Sequence, residues 1–195
     1  MPVTTLRIWV YGTGDFRSVL ELPTRGYLSF VNLTEAFVLH AMRRRYTIPM
    51  PRVRKAIEYV ERDLRVAHPL AFQRFSTDKI DLFVETAIGH VNVSRGGQTT
   101  MDELHADLER IEWNDELRPV ALFPLVREHG DARRIRMSPF VAFGKPVIAG
   151  TGIPTAIVAQ RFSAGESVEA LSLDYHVPAE DIEEAVRAET FRTAA

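Results

Sequence analysis

The residue types that carry out catalysis or bind metals occur in this sequence without the spacing those chemistries require. Each of the six histidines is isolated, since none lies three or four residues from another histidine or a cysteine, as a helical metal pair requires. The paired acids Glu180-Asp181 and Glu183-Glu184 fall in the first turns of a predicted helix, where the helix dipole favours acids. No Gly-x-Ser-x-Gly nucleophile motif occurs. We therefore expect no enzyme activity, no catalytic residues, no metal and no cofactor.

A glycine- and proline-rich segment, GKPVIAGTGIPT at residues 144–155, is a second candidate for chemistry. A phosphate-binding loop ends in Lys-Ser or Lys-Thr at a helix start, whereas Lys145 precedes the later glycines here, so nucleotide binding is disfavoured. Gly150 and Gly152 permit positive φ, and Pro154 suits the start of a helix. The segment predicts a sharp turn from a strand into a helix.

The distribution of charge points to a third chemistry, the binding of a polyanion. Residues 1–80 carry 13 lysines and arginines against 7 acids, whereas residues 81–195 carry 11 against 19. A basic front half suits DNA phosphates, and an acidic second half suits a protein partner. From charge alone, two helices whose arginines simply face water explain the pattern equally well.

Composition limits the class of protein. An apolar fraction of 46% and a charged fraction of 26% in 195 residues are typical of globular domains. The sequence has no cysteine, which excludes disulfides and thiolate zinc sites. No apolar run approaches the roughly 18 residues of a membrane helix, and the start lacks the features of a signal peptide. We expect a soluble, cytoplasmic protein with no membrane contact.

Helical spacing and turn residues define the elements of the front half. Asn32 followed by Glu35 resembles a capping box at the start of a helix that ends in three arginines. Pro49 and Pro51 must end that helix. A second helix follows with one apolar stripe, formed by Val53, Ile57, Val60 and Leu64. The pair predicts an αα-hairpin.

The second half alternates strand and helix patterns. Residues 70–85 predict a hairpin around Ser76–Lys79, and residues 99–113 predict a helix. Residues 119–126 and 133–143 are strand candidates, and three short helices are expected within residues 155–165, 167–176 and 179–192. The predicted fold class is mainly α with short β-hairpins. A partial winged helix-turn-helix would be followed by a small hairpin plus a three-helix C-terminal domain.

The segment from Gly144 to Ala188 resembles a small bacterial domain family of unknown function found in VapB-type antitoxins. Its pattern, Gly-x-Pro-x-Ile-x-Gly-Thr-Arg-Ile-Pro, departs from this sequence at Gly152, where the family has arginine. The resemblance implies a partner-binding or structural motif. We assign it to Gly144, Pro146, Gly150, Thr151, Gly152, Ile153 and Pro154.

The front of the chain resembles the MerR-like winged-helix group. PVTTLRIW at residues 2–9 matches the recognition helix, GYLSF at 26–30 matches the end of the wing, and residues 32–57 match the following helix pair. Periodicity alone favours a strand over residues 2–11, whereas the resemblance favours a short helix. It implies contacts to DNA from Thr4, Thr5, Arg7, Arg17, Arg25, Tyr27, Arg43, Arg44 and Arg45.

The first helix of that group is missing ahead of residue 2, so we expect Leu6 and Trp9 to be exposed and DNA binding to be weak. The expected domains are residues 1–65 (winged-helix part), 66–117 (connecting hairpin and helix) and 118–195 (antitoxin-type domain).

Together the two resemblances imply an antitoxin of a type II toxin–antitoxin system. It would neutralise a cognate PIN-type ribonuclease toxin and repress its own operon, binding operator DNA as a homodimer or higher oligomer. The alternative is a stand-alone MerR-like transcription regulator with a C-terminal oligomerisation or sensing module.

Overall fold

A computed structural model of the chain describes residues 2–14, 17–22, 24, 26–45, 49–65, 68–71, 104–124 and 133–193. The chain divides into two compact units, residues 1–119 (unit 1) and 120–195 (unit 2). The fold is mostly helical with two short β-hairpins, which confirms the expected fold class. The hairpin expected around Ser76–Lys79 lies outside the described residues.

Unit 1 begins with helix α1 (Val3–Tyr11), so the helix favoured by the family resemblance is confirmed over the alternating strand pattern. It ends at Gly12, whose φ of 73° suits glycine and whose N–H donates to the Ile8 carbonyl at 2.9 Å. The expected exposure of Trp9 is wrong, because its side chain is only 1% exposed. Leu6 is half-buried.

Contacts from elsewhere in unit 1 explain the burial of Trp9. The chain folds back so that the N–H groups of Val19 and Leu20 donate to the Trp9 carbonyl at 2.7 and 3.0 Å. The Arg43 guanidinium lies 5.9 Å from the centre of the indole ring, a cation–π contact. Arg43 therefore lies over the Trp9 ring, and the two backbone bonds fix the Trp9 carbonyl.

Helix α2 (Phe30–Arg45) begins two residues before Asn32, the predicted cap. Ser29 caps the helix, since its Oγ accepts from the Asn32 N–H at 3.1 Å while Asn32 Oδ1 accepts from the Ser29 N–H at 3.1 Å. The capping box therefore pairs Ser29 with Asn32, and the assignment of Asn32 as the cap is wrong. Asn32 lies inside the first turn and is fully buried.

Helix α3 (Met50–Leu64) follows the predicted break, with Pro49 before it and Pro51 in its first turn. Val53, Ile57 and Val60 of the predicted apolar stripe are buried. Helices α2 and α3 both pack against a single 3₁₀ turn, Pro69–Ala71, in which Leu70 is 1% exposed. This turn is therefore a common contact of the two helices.

The helix expected over residues 99–113 ends sooner than predicted. Residues 104–108 are helical, and strand β1 (Ile111–Trp113) follows a short turn. The Asn114 side chain accepts from the N–H groups of Glu116 and Arg118 at 3.1 and 2.9 Å, which fixes the turn into strand β2 (Pro119–Leu122). Ile111 therefore lies in a strand of this hairpin, although its spacing from the preceding apolar residues is that of a helix.

Unit 2 combines a two-stranded sheet with three helices. Strand β3 (Ile135–Arg136) pairs antiparallel with β4 (Val147–Ile148), and a 3₁₀ turn (Ala142–Gly144) lies between them. Helices α4 (Thr155–Ser163), α5 (Val168–Tyr175) and α6 (Ala179–Thr193) confirm the three predicted segments. Their shared core consists of Ile135, Ile148, Val158, Leu171, Ile182 and Ala185.

Two leucines on α5 give a matched test of this core. Leu171 is 0% exposed and Leu173 is 78% exposed. We expect Leu171→Ala to lower the free energy of unfolding of unit 2 by about 2–5 kcal/mol, since it leaves a cavity. Leu173→Ala should change it by less than about 0.5 kcal/mol. Urea denaturation followed by circular dichroism measures both, and equal losses would contradict the core assignment.

Candidate functional site

The first half of α1 presents the hydroxyl and guanidinium groups that were predicted to contact DNA. Thr4 and Arg7 are exposed, and Thr5 is half-buried. Three apolar side chains of the same helix are also exposed: Val3 at 64%, Ile8 at 42% and Tyr11 at 58%. The helix therefore offers a mixed polar and apolar surface whose side chains are free to meet phosphates and base edges.

The segment after α1 carries two further predicted contacts. Arg17 is exposed, and its backbone carbonyl accepts two hydrogen bonds from Arg54, from Nε at 3.2 Å and Nη2 at 2.8 Å. Arg54 thereby links the segment after α1 to helix α3. Tyr27 is 73% exposed beside an isolated β-bridge with Thr24. Arg25 lies outside the described residues.

The three arginines at the end of α2 have different surroundings. Arg43 is exposed and covers the Trp9 ring, which places the end of α2 beside α1. Arg44 Nη2 contacts both carboxylate oxygens of Asp107 at 3.0 and 2.7 Å, and the Asp107 side chain is only 3% exposed. Arg44 thus has a structural partner within unit 1. The Arg45 side chain lies outside the described residues.

Unit 1 also contains a buried polar network that sequence reasoning missed. The side-chain amide of Asn32 donates to the Glu21 carbonyl at 2.7 Å and to Glu35 Oε2 at 3.3 Å. Glu35 Oε2 also lies 3.1 Å from His68 Nδ1, and Glu35 is 4% exposed. The network joins the segment after α1, helix α2 and the 3₁₀ turn. In the sequence, the pair Asn32 and Glu35 indicates this network, but the pair alone predicts only a helix cap.

The pKa values of two ionisable groups near this network are shifted. The hydrogen bond with Glu35 raises the pKa of His68 above its ordinary value of 6.5. Burial, with the charges of Glu35 and Glu21, raises the pKa of Glu61 above 4.5. The Glu35 carboxylate therefore contributes to the raised pKa of both His68 and Glu61.

The Gly-Thr motif of unit 2 forms a closed turn after β4. The Thr151 hydroxyl donates to the Ile148 carbonyl at 2.8 Å and accepts from the Ile153 N–H at 3.1 Å. The Ile148 N–H donates to the Ile153 carbonyl at 3.0 Å. Gly150 has a φ of 75°, which a side chain would strain. The predicted strand-to-helix turn is therefore present, and its hydroxyl group is used within the turn.

The turn is tied to α6 through Thr155, which sequence reasoning also missed. Thr155 is fully buried, and its N–H donates to the Pro146 carbonyl at 3.0 Å. Its hydroxyl lies 2.6 Å from Glu189 Oε1 on α6. An isolated bridge joins Val147 to Pro154. Pro146 and Pro154 are therefore part of the hydrogen-bonded backbone of the turn.

Gly152, the position that departs from the family pattern, is exposed. A Cβ atom built there meets no described atom within 4 Å. The first atom of a side chain would therefore fit at this position without a steric clash.

The loop before the motif holds an unusual backbone. Ala142, Phe143 and Gly144 have φ values of 47°, 55° and 79° in succession. Left-handed geometry costs a residue other than glycine roughly 1–2 kcal/mol. Phe143 is nevertheless 99% exposed, and Phe140 is 80% exposed. Burial of the Phe143 side chain therefore does not offset the free-energy cost of its strained backbone.

The described part of the chain contains neither a metal site nor a membrane-spanning helix. No group of three or more histidines and acids there is arranged to hold a metal ion. No helix in that part has the length and apolar character needed to span a bilayer.

Comparison with known proteins places these features in a family context. Residues 135–187 match the sequence model of a family described as "Protein of unknown function (DUF433)". Over 187 residues the chain is 29% identical to "Putative antitoxin VapB45" of Mycobacterium tuberculosis (strain ATCC 25618 / H37Rv), covering 88% of this chain and 76% of that protein. The X-ray crystal structure of Rv2018 from Mycobacterium tuberculosis is similar with a TM-score of 0.75 at 25% identity, covering 95% of this chain and 91% of that chain. The resemblance to VapB-type antitoxins is confirmed.

The raised pKa of His68 predicts how the stability of unit 1 depends on pH. Because the pKa is higher in the folded state, the His68–Glu35 contact stabilises fully below the ordinary value of 6.5 and is lost as the pH rises through the folded pKa. His68→Gln should remove about 1 kcal/mol at acidic pH, discounted for partial exposure, and much less above neutrality.

Urea unfolding of wild type, His68→Gln and Glu35→Gln across this pH range measures the effect as a difference. The pKa of His40 is lowered, chiefly by burial, so His40 contributes to stability with the opposite pH dependence. This contribution cancels in the comparison because every variant retains His40. Parallel curves for wild type and His68→Gln would show that the contact contributes nothing.

Proposed function

We propose that this chain is the antitoxin of a type II toxin–antitoxin pair, a regulatory protein that binds a cognate toxin and represses its own operon. The observation that carries the proposal is the similarity to VapB45 over 88% of the chain, because that relative is named as a putative antitoxin. An antitoxin requires a toxin partner, and we propose a PIN-type ribonuclease. The comparisons support the antitoxin role in general, and the class of toxin rests on the family resemblance.

We assign toxin binding to unit 2. This unit contains the match to the family of unknown function at residues 135–187. Residues 155–193, which form its three helices, carry 8 acids against 3 arginines. Such a surface repels nucleic acid and suits a protein that itself binds RNA and is therefore basic. The exposed motif position Gly152 and the exposed phenylalanines lie in the same unit.

We assign operator binding to unit 1. Thr4, Thr5 and Arg7 of α1 would contact base edges and phosphates, with Arg17 and Tyr27 nearby in sequence and Arg43 beside Trp9. Phosphate neutralisation makes such binding dependent on salt. A two-fold operator requires a dimer or higher oligomer of the chain.

The second candidate is a stand-alone MerR-like regulator with a C-terminal oligomerisation module. Its support is the exposed α1 surface, which either function would use. The two candidates differ in whether an adjacent gene encodes a toxin.

Co-expression tests the proposal. Induction of the adjacent gene alone should arrest growth, and co-expression of this chain should restore it. Arg7→Ala should restore growth equally well, because that residue belongs to the DNA-binding surface and not to unit 2. Persistent arrest in the presence of soluble wild-type chain would contradict neutralisation. An adjacent gene without toxicity would favour the stand-alone regulator.

A further inference from the structure

The side chains of helix α1 divide into an exposed face and a buried face. Successive residues of an α-helix lie about 100° apart around its axis. On this geometry the exposed residues of α1 fall within one arc of about 140°, in the order Val3, Arg7, Tyr11, Thr4 and Ile8. The rest of the circumference holds the buried and half-buried residues, which are Thr5, Trp9, Leu6 and Val10. The exposed side chains therefore form one continuous surface, which we call the α1 face.

The α1 face has the dimensions and the charge that DNA requires. It is about 12 Å long from Val3 to Tyr11, and a helix fits the major groove of B-DNA, which is about 12 Å wide. Arg7 is the only charged residue in the sequence of α1, so no carboxylate of this helix repels phosphates. Thr4 adds a hydroxyl group that both donates and accepts hydrogen bonds. The polar part of the face therefore suits the edges of bases.

Two aliphatic side chains lie at the edges of the α1 face. Val3 is 64% exposed and Ile8 is 42% exposed, and in the angular order they stand on either side of Arg7 and Thr4. Phosphates do not account for these two side chains, because phosphate oxygens accept hydrogen bonds and attract positive charge. In the major groove, the C5-methyl group of thymine is the apolar group that such side chains contact. The two edges of the face therefore match thymines.

We propose that the α1 face recognises an operator element in which thymines lie beside a guanine. Val3 and Ile8 contact thymine methyl groups, and the Arg7 guanidinium donates to O6 and N7 of the guanine, a pairing that fits the arginine fork. A face of about 12 Å covers roughly three to four base pairs at about 3.4 Å each. This recognition rests on the operator binding proposed for unit 1 and specifies which base groups select the operator.

Replacement of thymine by deoxyuridine tests the methyl contacts, because deoxyuridine lacks only the C5-methyl group. The probe is the DNA upstream of the gene for this chain, prepared with thymidine or with deoxyuridine in its place. Fluorescence anisotropy with the purified full chain, at one salt concentration, measures both affinities. Wild type should bind the deoxyuridine DNA about fourfold more weakly for each methyl group that it contacts, as expected for the loss of one buried methyl group.

Variants of the aliphatic side chains identify the residues responsible. Val3→Ala combined with Ile8→Ala should bind the two DNAs equally. Leu173→Ala, which shortens an exposed aliphatic side chain of unit 2, is the matched control and should retain the preference of wild type for thymine. Both variants change exposed side chains and should remain folded by circular dichroism. A wild type without a preference for thymine, or a preference that survives in the Val3 and Ile8 variant, would overturn the methyl contacts and assign these side chains to another partner.

7-Deazaguanine tests the contact assigned to Arg7, because this base lacks the N7 acceptor of guanine. Wild type should bind DNA that contains it about fivefold or more weakly, whereas Arg7→Ala should bind the guanine and 7-deazaguanine DNAs equally. Equal binding of the two DNAs by wild type, or a difference that persists in Arg7→Ala, would overturn the guanine contact.

The outcomes distinguish these base contacts from the proposed function. If wild type binds the upstream DNA no more tightly than DNA of random sequence, operator binding by unit 1 is contradicted and the base contacts with it. If binding is specific but has neither the thymine nor the guanine preference, only the base contacts are overturned.

Discussion

The turn between β4 and α4 is the constraint on which unit 2 depends. Two threonine hydroxyls hold it: Thr151 bonds across the turn to Ile148 and Ile153, and buried Thr155 reaches Glu189 on α6. Because a buried hydroxyl without a partner is costly, each hydroxyl fixes the path of the backbone around it. The turn then sets the start of α4, and α4 packs on α6 to enclose Val158, Ile182 and the strand residues Ile135 and Ile148.

This constraint separates most of the motif from the surfaces that we propose for partner binding. The most recognisable residues of the motif face inward or satisfy one another, so their role within the turn is structural. The groups left facing solvent are the exposed position Gly152, the phenylalanines of the preceding loop and the acidic helices. In unit 1 a buried carboxylate has a similar structural role, since Glu35 contacts Asn32 within α2 and His68 next to the 3₁₀ turn.

Much of this fold could be predicted from the sequence, because its helices are short and carry clear start and stop signals. The break predicted at Pro49 and Pro51 separates α2 from α3, and the predicted C-terminal helices are present as α4, α5 and α6. The errors arose where contacts distant in sequence decide the outcome. Ile111 has helical spacing but lies in a hairpin held by Asn114. The Trp9 ring contacts Arg43 of α2, and the Trp9 carbonyl accepts from the N–H groups of residues 19–20. For the same reason the Thr155–Glu189 and Glu35–His68 contacts, at sequence separations of 34 and 33 residues, could not be anticipated.

We propose that the C-terminal part of the chain binds the toxin and that the basic front half binds DNA. Capture by the tagged product of the adjacent gene tests it most directly, with fragments 118–195 and 1–117 expressed separately and each shown to be folded. The account predicts that residues 118–195 are retained and residues 1–117 are not. Retention of residues 1–117 alone would contradict it.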